Sequence, residues 1–186
     1  SVRRLENFVD FGHFAWIHNG ILGTREQPEV GEHEIWREDG AIRCTSTGTE
    51  PPSPTMKTHL EGLGDLISVR NEYWISMPHS VLLDRHFDGG ARYLLFMAAC
   101  PIGPKQTRSF WFIGRNYALG PEADGEFLDF EHTILAQDQP VVESLTPGII
   151  PSALGEEMYV KTADAITLGN HAWDQRETIS YIESDA

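Results

Sequence analysis

Cysteine and positive charge are both scarce in this sequence. Its 186 residues include two cysteines, Cys44 and Cys100, too few for a disulfide framework or for a four-cysteine zinc or iron–sulfur site. The 14 Lys and Arg residues are outnumbered by 28 Asp and Glu residues, which leaves a net charge of −14. Because nucleic acids and anionic lipids are bound largely through positive charge, this composition argues against either of them as a partner.

Long apolar runs and targeting signals are also missing. No window approaches the roughly 20 apolar residues that a membrane-spanning helix needs, and the N-terminus carries no basic-then-apolar signal segment. The sequence contains no N-x-S/T glycosylation sequon. We therefore expect a cytoplasmic protein without membrane contact. Because the chain starts at Ser1 and not at an initiator Met, we expect a fragment or a mature form.

The residues that are present predict one folded α+β domain over residues 1–186. Hydrophobic residues make up 40% of the chain and aromatic residues 10%, and this length suits a single core. Apolar spacing predicts a first helix over Leu5–Ile17, and Asp39-Gly40 is typical of a hairpin turn. A helix from Pro121 should end or kink near Pro140. Four strands in succession, over 71–77, 80–87, 92–100 and 107–117, are predicted to form an antiparallel meander. A short strand is predicted over 56–60 and a last helix over 162–177.

One short N-terminal segment concentrates the polar residues that could carry chemistry. Asn7, Asp10 and His13 are three residues apart, which puts them on one face of a helix, and His18 follows five residues later. Five helical residues turn a side chain by about 140° from the first. Both histidines could therefore reach one metal ion only if the helix loosens or ends near His18. Asn19-Gly20 is placed to end it there.

A distant carboxylate could complete such a site. Asp138 has uncharged neighbours and lies at the predicted C-terminal end of the 121–139 helix, where the helix dipole disfavours a negative charge. A metal ion would compensate that charge. Two histidines and one carboxylate form the set that leaves open positions on Fe(II) for dioxygen and substrate. A nearby carboxylate such as Asp10 is also the usual partner that fixes the tautomer of a metal-binding histidine.

Plainer interpretations of the same residues stay open at this point. Histidines near a helix end are often surface residues, and Asp138 could be a solvent-exposed carboxylate at a helix end. A ligand carrier with an apolar cavity would need no metal, although each buried unpaired polar group would then cost about 1–3 kcal/mol. A metal-dependent hydrolase would need a general base beside its metal, and no H-E-x-x-H motif occurs.

The pattern N-x2-D-x2-H-x4-H from Asn7 to His18, followed by the distant Asp138, resembles the catalytic domain of Rieske non-haem iron oxygenases. The resemblance is to the branch that contains vanillate O-demethylase, dicamba monooxygenase and pheophorbide a oxygenase. It extends along the chain through three further segments, which look like the core hairpin, the third-ligand helix and the final strand-to-helix join of that branch: 100–116, 136–143 and 157–164.

The resemblance implies a fold and a role for each residue of the pattern. His13, His18 and Asp138 would be the ligands of a mononuclear Fe(II). Asp10 would be the acidic bridge to a cluster-ligating histidine of a neighbouring subunit, and Asn7 would lie behind the ligands. The implied fold is of the helix-grip kind, START- or Bet v1-like, with an antiparallel sheet curved around an apolar cavity and covered by helices. The implied activity is dioxygen-dependent hydroxylation or demethylation of a small apolar, aromatic or polycyclic substrate.

One departure from the family pattern concerns the Rieske [2Fe–2S] centre. That centre needs a C-x-H and a C-x2-H pair, and neither Cys44 nor Cys100 is followed by such a histidine. The resemblance therefore implies that the cluster lies in a missing domain or a partner chain, with electrons ultimately from NAD(P)H through a reductase or ferredoxin. It also implies a homotrimer for the full-length protein. A START-like carrier without catalysis is the alternative function.

Overall fold

The computed structural model describes residues 2–76 and 79–145, which form an open six-stranded antiparallel sheet with helices packed against it. The strands pair in chain order, each antiparallel to the next. They are β1 (His33–Glu38), β2 (Ala41–Glu50), β3 (Ile67–Ser76), β4 (Ser80–Phe87), β5 (Arg92–Gly103) and β6 (Gln106–Arg115). The helices are α1 (Val2–Val9), α2 (Phe14–Ile17), α3 (Pro54–His59) and α4 (Asp124–Ser144), with 3-10 turns at Asp88–Gly90 and Pro121–Ala123. The predicted α+β class is confirmed.

The core forms where alternating strand residues meet the helices. In β3, buried and more exposed positions alternate along the strand, as expected for a sheet with one covered face. Leu5 of α1 belongs to one buried cluster with Tyr73 and Met97 of the sheet. Phe127 of α4 belongs to a second cluster with Phe87 and other residues of the sheet. The first and last described helices are therefore both anchored on the sheet, although they are far apart in sequence.

The hairpin between β1 and β2 and the segment before β3 show where turn and capping residues decide the local structure. Asp39 and Gly40 have φ values of 50° and 77°, in the left-handed region that a two-residue hairpin turn requires, so the predicted hairpin is confirmed.

The strand predicted over 56–60 is wrong, because this segment is helix α3. The Ser53 hydroxyl accepts a hydrogen bond from Met56 N at 3.2 Å, and Pro54 occupies the first turn, a combination that starts a helix.

The first helix is shorter than its apolar pattern predicts. Helix α1 ends at Val9, and the next carboxylate, Asp10, accepts a hydrogen bond from Gly12 N at 2.9 Å. Such a local bond from a side chain to the backbone competes with helical hydrogen bonding. The chain resumes helical structure only in α2, so the prediction that Asn7, Asp10 and His13 share one continuous helix is wrong.

Helix α4 is longer than predicted. It continues through Pro140 to Ser144, so Pro140 does not end it, and Asp138 lies inside the helix. The predicted helix over 162–177 and the similar segment 157–164 lie outside the described residues. Within the described residues, no helix combines the length and apolar character that crossing a bilayer requires.

Candidate metal centre

Three buried side chains, two from one short segment and one from a distant helix, converge beside the apolar core. The Nε2 atoms of His13 and His18 are 3.2 Å apart, and Asp138 Oδ1 lies 3.4 Å from the first and 3.0 Å from the second. Their exposed fractions are 2%, 1% and 6%. Neighbouring ligand atoms on one ion, each bound at about 2 Å, lie at this kind of spacing. The structure thus brings together the three residues that the sequence singles out as metal ligands.

The local backbone explains how two histidines five residues apart can meet. His13 immediately precedes α2, and His18 follows its last residue as the C-cap, with φ −106° and ψ 34°. The carbonyl of His18 accepts hydrogen bonds from Ile21 N and Leu22 N, which form a turn directly after α2. The prediction that the helix ends near His18 is confirmed. Helix α4 supplies Asp138.

A side-chain oxygen lies near the second ring nitrogen of each histidine. His18 Nδ1 lies 2.7 Å from the side-chain oxygen of Gln137, which can only accept, so the Nδ1 of His18 carries the proton. His13 Nδ1 lies 3.5 Å from Asp10 Oδ2, close to a carboxylate but without a hydrogen-bond partner among the described residues. His18 therefore turns its Nε2 lone pair towards Asp138, and an acceptor on the other ring nitrogen is the arrangement that orients metal-bound imidazoles.

The donor set fits a divalent metal ion such as Fe(II). Asp138 Oδ1 is buried and has no hydrogen-bond partner in the described part of the chain, although two ring nitrogens face it. Two imidazole lone pairs and a carboxylate oxygen that point at one another repel unless they share a cation or a proton. The 2-His-1-carboxylate set is characteristic of non-haem Fe(II) sites.

Charge in this cluster shifts two pKa values. Burial alone would lower the pKa of His13, but polar contacts with Asp10 and Asp138 and their negative charges outweigh it and raise the pKa to about 8. Burial alone would raise the pKa of Asp138, but contacts with His13 and His18 and their charges hold it well below the usual range for a carboxyl group. Asp138 is thus ionised at neutral pH, as a metal ligand must be.

The other two candidate residues lie directly behind the ligands. Asp10 is completely buried and contacts His13, while its Oδ1 is held by Gly12 N. Asn7 is also buried, and its amide oxygen accepts a hydrogen bond from Arg4 Nη1. The amide nitrogen of Asn7 has no hydrogen-bond partner among the described residues, so it is a donor still available at the cavity wall.

Several residues of the site escape sequence reasoning. Gln137 contacts His18 and Arg4 contacts Asp138. The position of Gln137 directly before Asp138 is the sequence signal that could have identified Gln137. Glu131 is buried beside the cavity, where its Oε1 accepts a hydrogen bond from the Tyr93 hydroxyl at 2.7 Å. It precedes Asp138 by two helical turns, so the helical period could have placed both on one face of α4.

The three candidate ligands border a mostly apolar cavity between the sheet and helices α1 and α4. Arg4, Asn7 and Arg85 are among its polar lining residues. The apolar lining comes from α1, from strands β4 to β6 and from α4, and includes Phe8, Leu83, Leu95, Met97, Trp111, Phe130, Ile134 and Leu135. A few polar groups in an otherwise apolar wall are typical of a pocket for a small organic ligand.

Comparison with known proteins gives a consistent family match. The family model described as Vanillate O-demethylase oxygenase C-terminal domain matches residues 2–168. The methylxanthine N3-demethylase NdmB of Pseudomonas putida is 31% identical over 191 residues, covering 97% of this chain and 48% of that protein. The methylxanthine N1-demethylase NdmA of the same species is 27% identical, covering 92% of this chain and 45% of that protein. The chain thus spans about half the length of these relatives.

Solved structures share the fold. The structure of Pseudomonas putida NdmA with caffeine matches with a TM-score of 0.62 and 26% identity, over 84% of this chain and 44% of that chain. Dicamba monooxygenase bound to dicamba matches with a TM-score of 0.57 and 16% identity, over 99% of this chain and 56% of that chain. These matches confirm the predicted helix-grip architecture, an antiparallel sheet with helices over an apolar cavity.

Proposed function

The chain belongs to the family of vanillate O-demethylase oxygenase C-terminal domains, and from that premise we propose that residues 1–186 are the single catalytic domain of a Rieske-type non-haem iron oxygenase. Its reaction is the dioxygen-dependent hydroxylation or oxidative demethylation of a small apolar, aromatic or polycyclic substrate. The observation that carries the proposal is the convergence of His13, His18 and Asp138 at the wall of an apolar cavity.

In this proposal each residue of the site has a distinct task. His13 Nε2, His18 Nε2 and Asp138 Oδ1 hold Fe(II), which when bound supplies open coordination positions for dioxygen and substrate. Gln137 keeps the proton of His18 on Nδ1, so that Nε2 is free to bind the metal, and the nearby Asp10 carboxylate would do the same for His13 once the metal is bound. The apolar cavity wall holds the aromatic part of the substrate and keeps water away from it.

The overall reaction balances with one dioxygen, two electrons and two protons. One oxygen atom is inserted into a C–H bond of the substrate, and the other leaves as water. Where the carbon is an O- or N-methyl group, the hydroxymethyl product releases formaldehyde and leaves the demethylated compound. Demethylation is the activity named for NdmA and NdmB.

The electrons must come from outside the residues of this chain. We assign them to a [2Fe–2S] cluster in another domain or a partner chain, reduced by NAD(P)H through a reductase or ferredoxin. A cytoplasmic location, where such donors are found, and a homotrimeric full-length protein belong to the same proposal. Nucleic acid and membranes are not partners in it, because the net charge of −14 opposes binding to either polyanionic surface.

Metal binding and oxygen consumption test the proposal together. We expect the purified chain to bind one Fe(II) under anaerobic conditions, and Asp138→Ala to abolish tight binding. Asp129→Ala, which removes an exposed carboxylate from the same helix, is the matched control and should bind like wild type. With a reduced [2Fe–2S] donor and an N- or O-methylated aromatic compound, the loaded protein should consume dioxygen and release formaldehyde.

The alternative function, a ligand carrier without catalysis, predicts that Fe(II) and Asp138 do not matter for ligand binding. A START-like carrier would bind aromatic ligands equally well with and without Fe(II), and Asp138→Ala would leave that binding unchanged. Absence of Fe(II) uptake by wild type would refute the oxygenase proposal.

A further inference from the structure

Arg4 in α1 forms an ion pair with one of the candidate metal ligands. Its Nη1 lies 3.3 Å from Asp138 Oδ2 and also donates to the amide oxygen of Asn7. The Arg4 side chain is largely buried, with 14% of its surface exposed, and it lines the same cavity as the ligands. The pair joins two parts of the chain that are 134 residues apart.

The two oxygens of the Asp138 carboxylate therefore have different neighbours. Oδ1 faces the Nε2 atoms of His13 and His18, whereas Oδ2 faces the Arg4 guanidinium. A carboxylate can bind a metal through one oxygen or through both. A guanidinium that donates to Oδ2 favours metal binding through Oδ1 alone, because a cation already occupies the Oδ2 side of the carboxylate.

We propose that Arg4 is a positioning residue that holds Oδ2 of Asp138, presents only Oδ1 to the metal, and so keeps one more coordination position open for dioxygen or substrate. This inference rests on the proposed function, since it concerns the same metal site. It goes beyond the ligand set because it assigns the denticity of Asp138 to a residue that is not a ligand. Asn7 fixes Arg4 in turn by accepting from the same nitrogen.

The Arg4 guanidinium could affect metal binding either by repelling the metal or by positioning Asp138, and these two effects change the metal affinity in opposite directions. If Arg4 acted only through its charge, it would repel a divalent metal, and its removal would strengthen metal binding. If Arg4 positions Asp138, its removal frees the carboxylate to rotate and weakens metal binding. Loss of a residue that orients a metal ligand typically costs 10- to 100-fold in affinity.

The test compares Arg4→Gln with Arg3→Gln, which removes the same charge one residue earlier. Arg3 pairs with Glu6 at 2.8 Å on the same helix. Co(II) is the probe, because its visible absorption weakens as its coordination number rises and so reports carboxylate denticity without turnover. We expect Arg4→Gln to lower Co(II) affinity about tenfold and to change the visible spectrum, with Arg3→Gln matching wild type in both. Arg4→Lys, which keeps the charge and loses the planar fork, should fall between them.

The outcomes separate this inference from the proposed function. Absence of Co(II) and Fe(II) binding by wild type would overturn both. Metal binding by wild type with an unchanged Co(II) spectrum in Arg4→Gln, whatever its affinity, would overturn only the role of Arg4. Where Arg4→Gln fails to give a cooperative thermal transition, Arg4→Lys decides, because a wild-type spectrum and affinity in that variant would equally overturn the positioning role.

Discussion

At the scale of single residues, the site depends on which nitrogen of each histidine carries a proton. The Gln137 side chain accepts from His18 Nδ1 at 2.7 Å and Asp10 lies against His13 Nδ1. Neither acceptor is itself a candidate ligand. Gln137 turns the Nε2 lone pair of His18 towards Asp138, and Asp10 lies within ionic contact of His13, so a substitution at either position should change metal binding without removing a ligand atom.

Gln137→Leu tests this directly. The variant keeps the size of the side chain but removes the acceptor for His18 Nδ1, so we expect Fe(II) affinity to fall by about 10- to 100-fold. Gln139→Leu is the matched control, because Gln139 is exposed and bonds to Glu143 on the outer side of the same helix. Isothermal titration with Fe(II) under anaerobic conditions measures both variants. Equal affinities in Gln137→Leu and wild type would show that the glutamine does not orient His18.

At the scale of secondary-structure elements, α4 carries both a candidate ligand and its own anchor to the sheet. Phe127 is completely buried and stacks with Tyr93 of β5, with ring centroids 6.0 Å apart. The guanidinium of Arg115 lies over the Phe127 ring, 4.3 Å from its centroid. The position of Asp138, eleven residues later, therefore depends on aromatic packing at the start of the helix.

Phe127→Ala should lower the free energy of unfolding by about 3–5 kcal/mol, the usual cost of truncating a buried phenylalanine. Chemical denaturation followed by circular dichroism gives this value. The neighbouring Leu128 is 46% exposed, and Leu128→Ala should cost much less. Comparable losses in the two variants would mean that Phe127 does not anchor the helix.

Strands β4 and β5 are joined by an ion pair whose contribution depends on pH. Arg92 Nε donates to Asp84 Oδ1 at 2.8 Å, and this hydrogen bond lowers the pKa of Asp84, with burial acting in the opposite direction. A carboxyl group with a lower pKa in the folded state stabilises the fold above its unfolded value of roughly 3.9. That contribution is lost as the pH falls through the folded-state pKa.

Asp84→Asn should therefore destabilise the protein at pH 7 and make a progressively smaller difference as the pH falls below about 4. Urea denaturation at a series of pH values between 7 and 3 measures the difference in unfolding free energy from wild type. Asp65→Asn, in the exposed segment before β3, is the control and should show no such trend. A difference that is constant over this pH range would contradict the role of the Asp84 carboxylate.

At the scale of the whole molecule, the proposed activity needs an electron donor that reaches the buried centre. In the described structure, Asp10 is covered by its own chain and lies against His13. A bridge from Asp10 to a cluster on a neighbouring subunit stays a prediction. It requires the full-length protein to form a ring in which the neighbouring subunit contacts the segment between α1 and α2.

Asp10→Asn keeps the shape of this side chain and removes its charge. We expect Fe(II) affinity to stay within about tenfold of wild type, the lower range for residues behind metal ligands, while electron transfer from a full-length partner's cluster slows sharply. Stopped-flow oxidation of the reduced cluster, with sedimentation analysis of the full-length protein, measures both parts. Asp129→Asn is the control. Unchanged electron transfer in Asp10→Asn, or an active monomer, would contradict the bridge.

The sequence alone was sufficient for the parts of the molecule that depend on local patterns and residue chemistry. Alternation of apolar residues and the Asp39-Gly40 turn predicted the strands and their hairpin, because side-chain period and turn geometry are local properties. The same holds for the candidate ligands, since His13, His18 and Asp138 were identified from residue type, spacing and the family resemblance. Local patterns failed where a single side chain redirected the backbone, as Asp10 does at the end of α1 and Ser53 at the start of α3.

Only the tertiary structure decided which atoms face one another at the site. Spacing cannot place Gln137 on His18, Arg4 on Asp138 Oδ2 or Glu131 on Tyr93, because each pair joins elements that meet only through packing on the sheet. The partition of the Asp138 oxygens between two histidines and one arginine is a property of that packing. The sequence by itself determined the chemistry available to this protein, whereas folding determined its geometry, because the direction of a side chain depends on contacts between residues far apart in the chain.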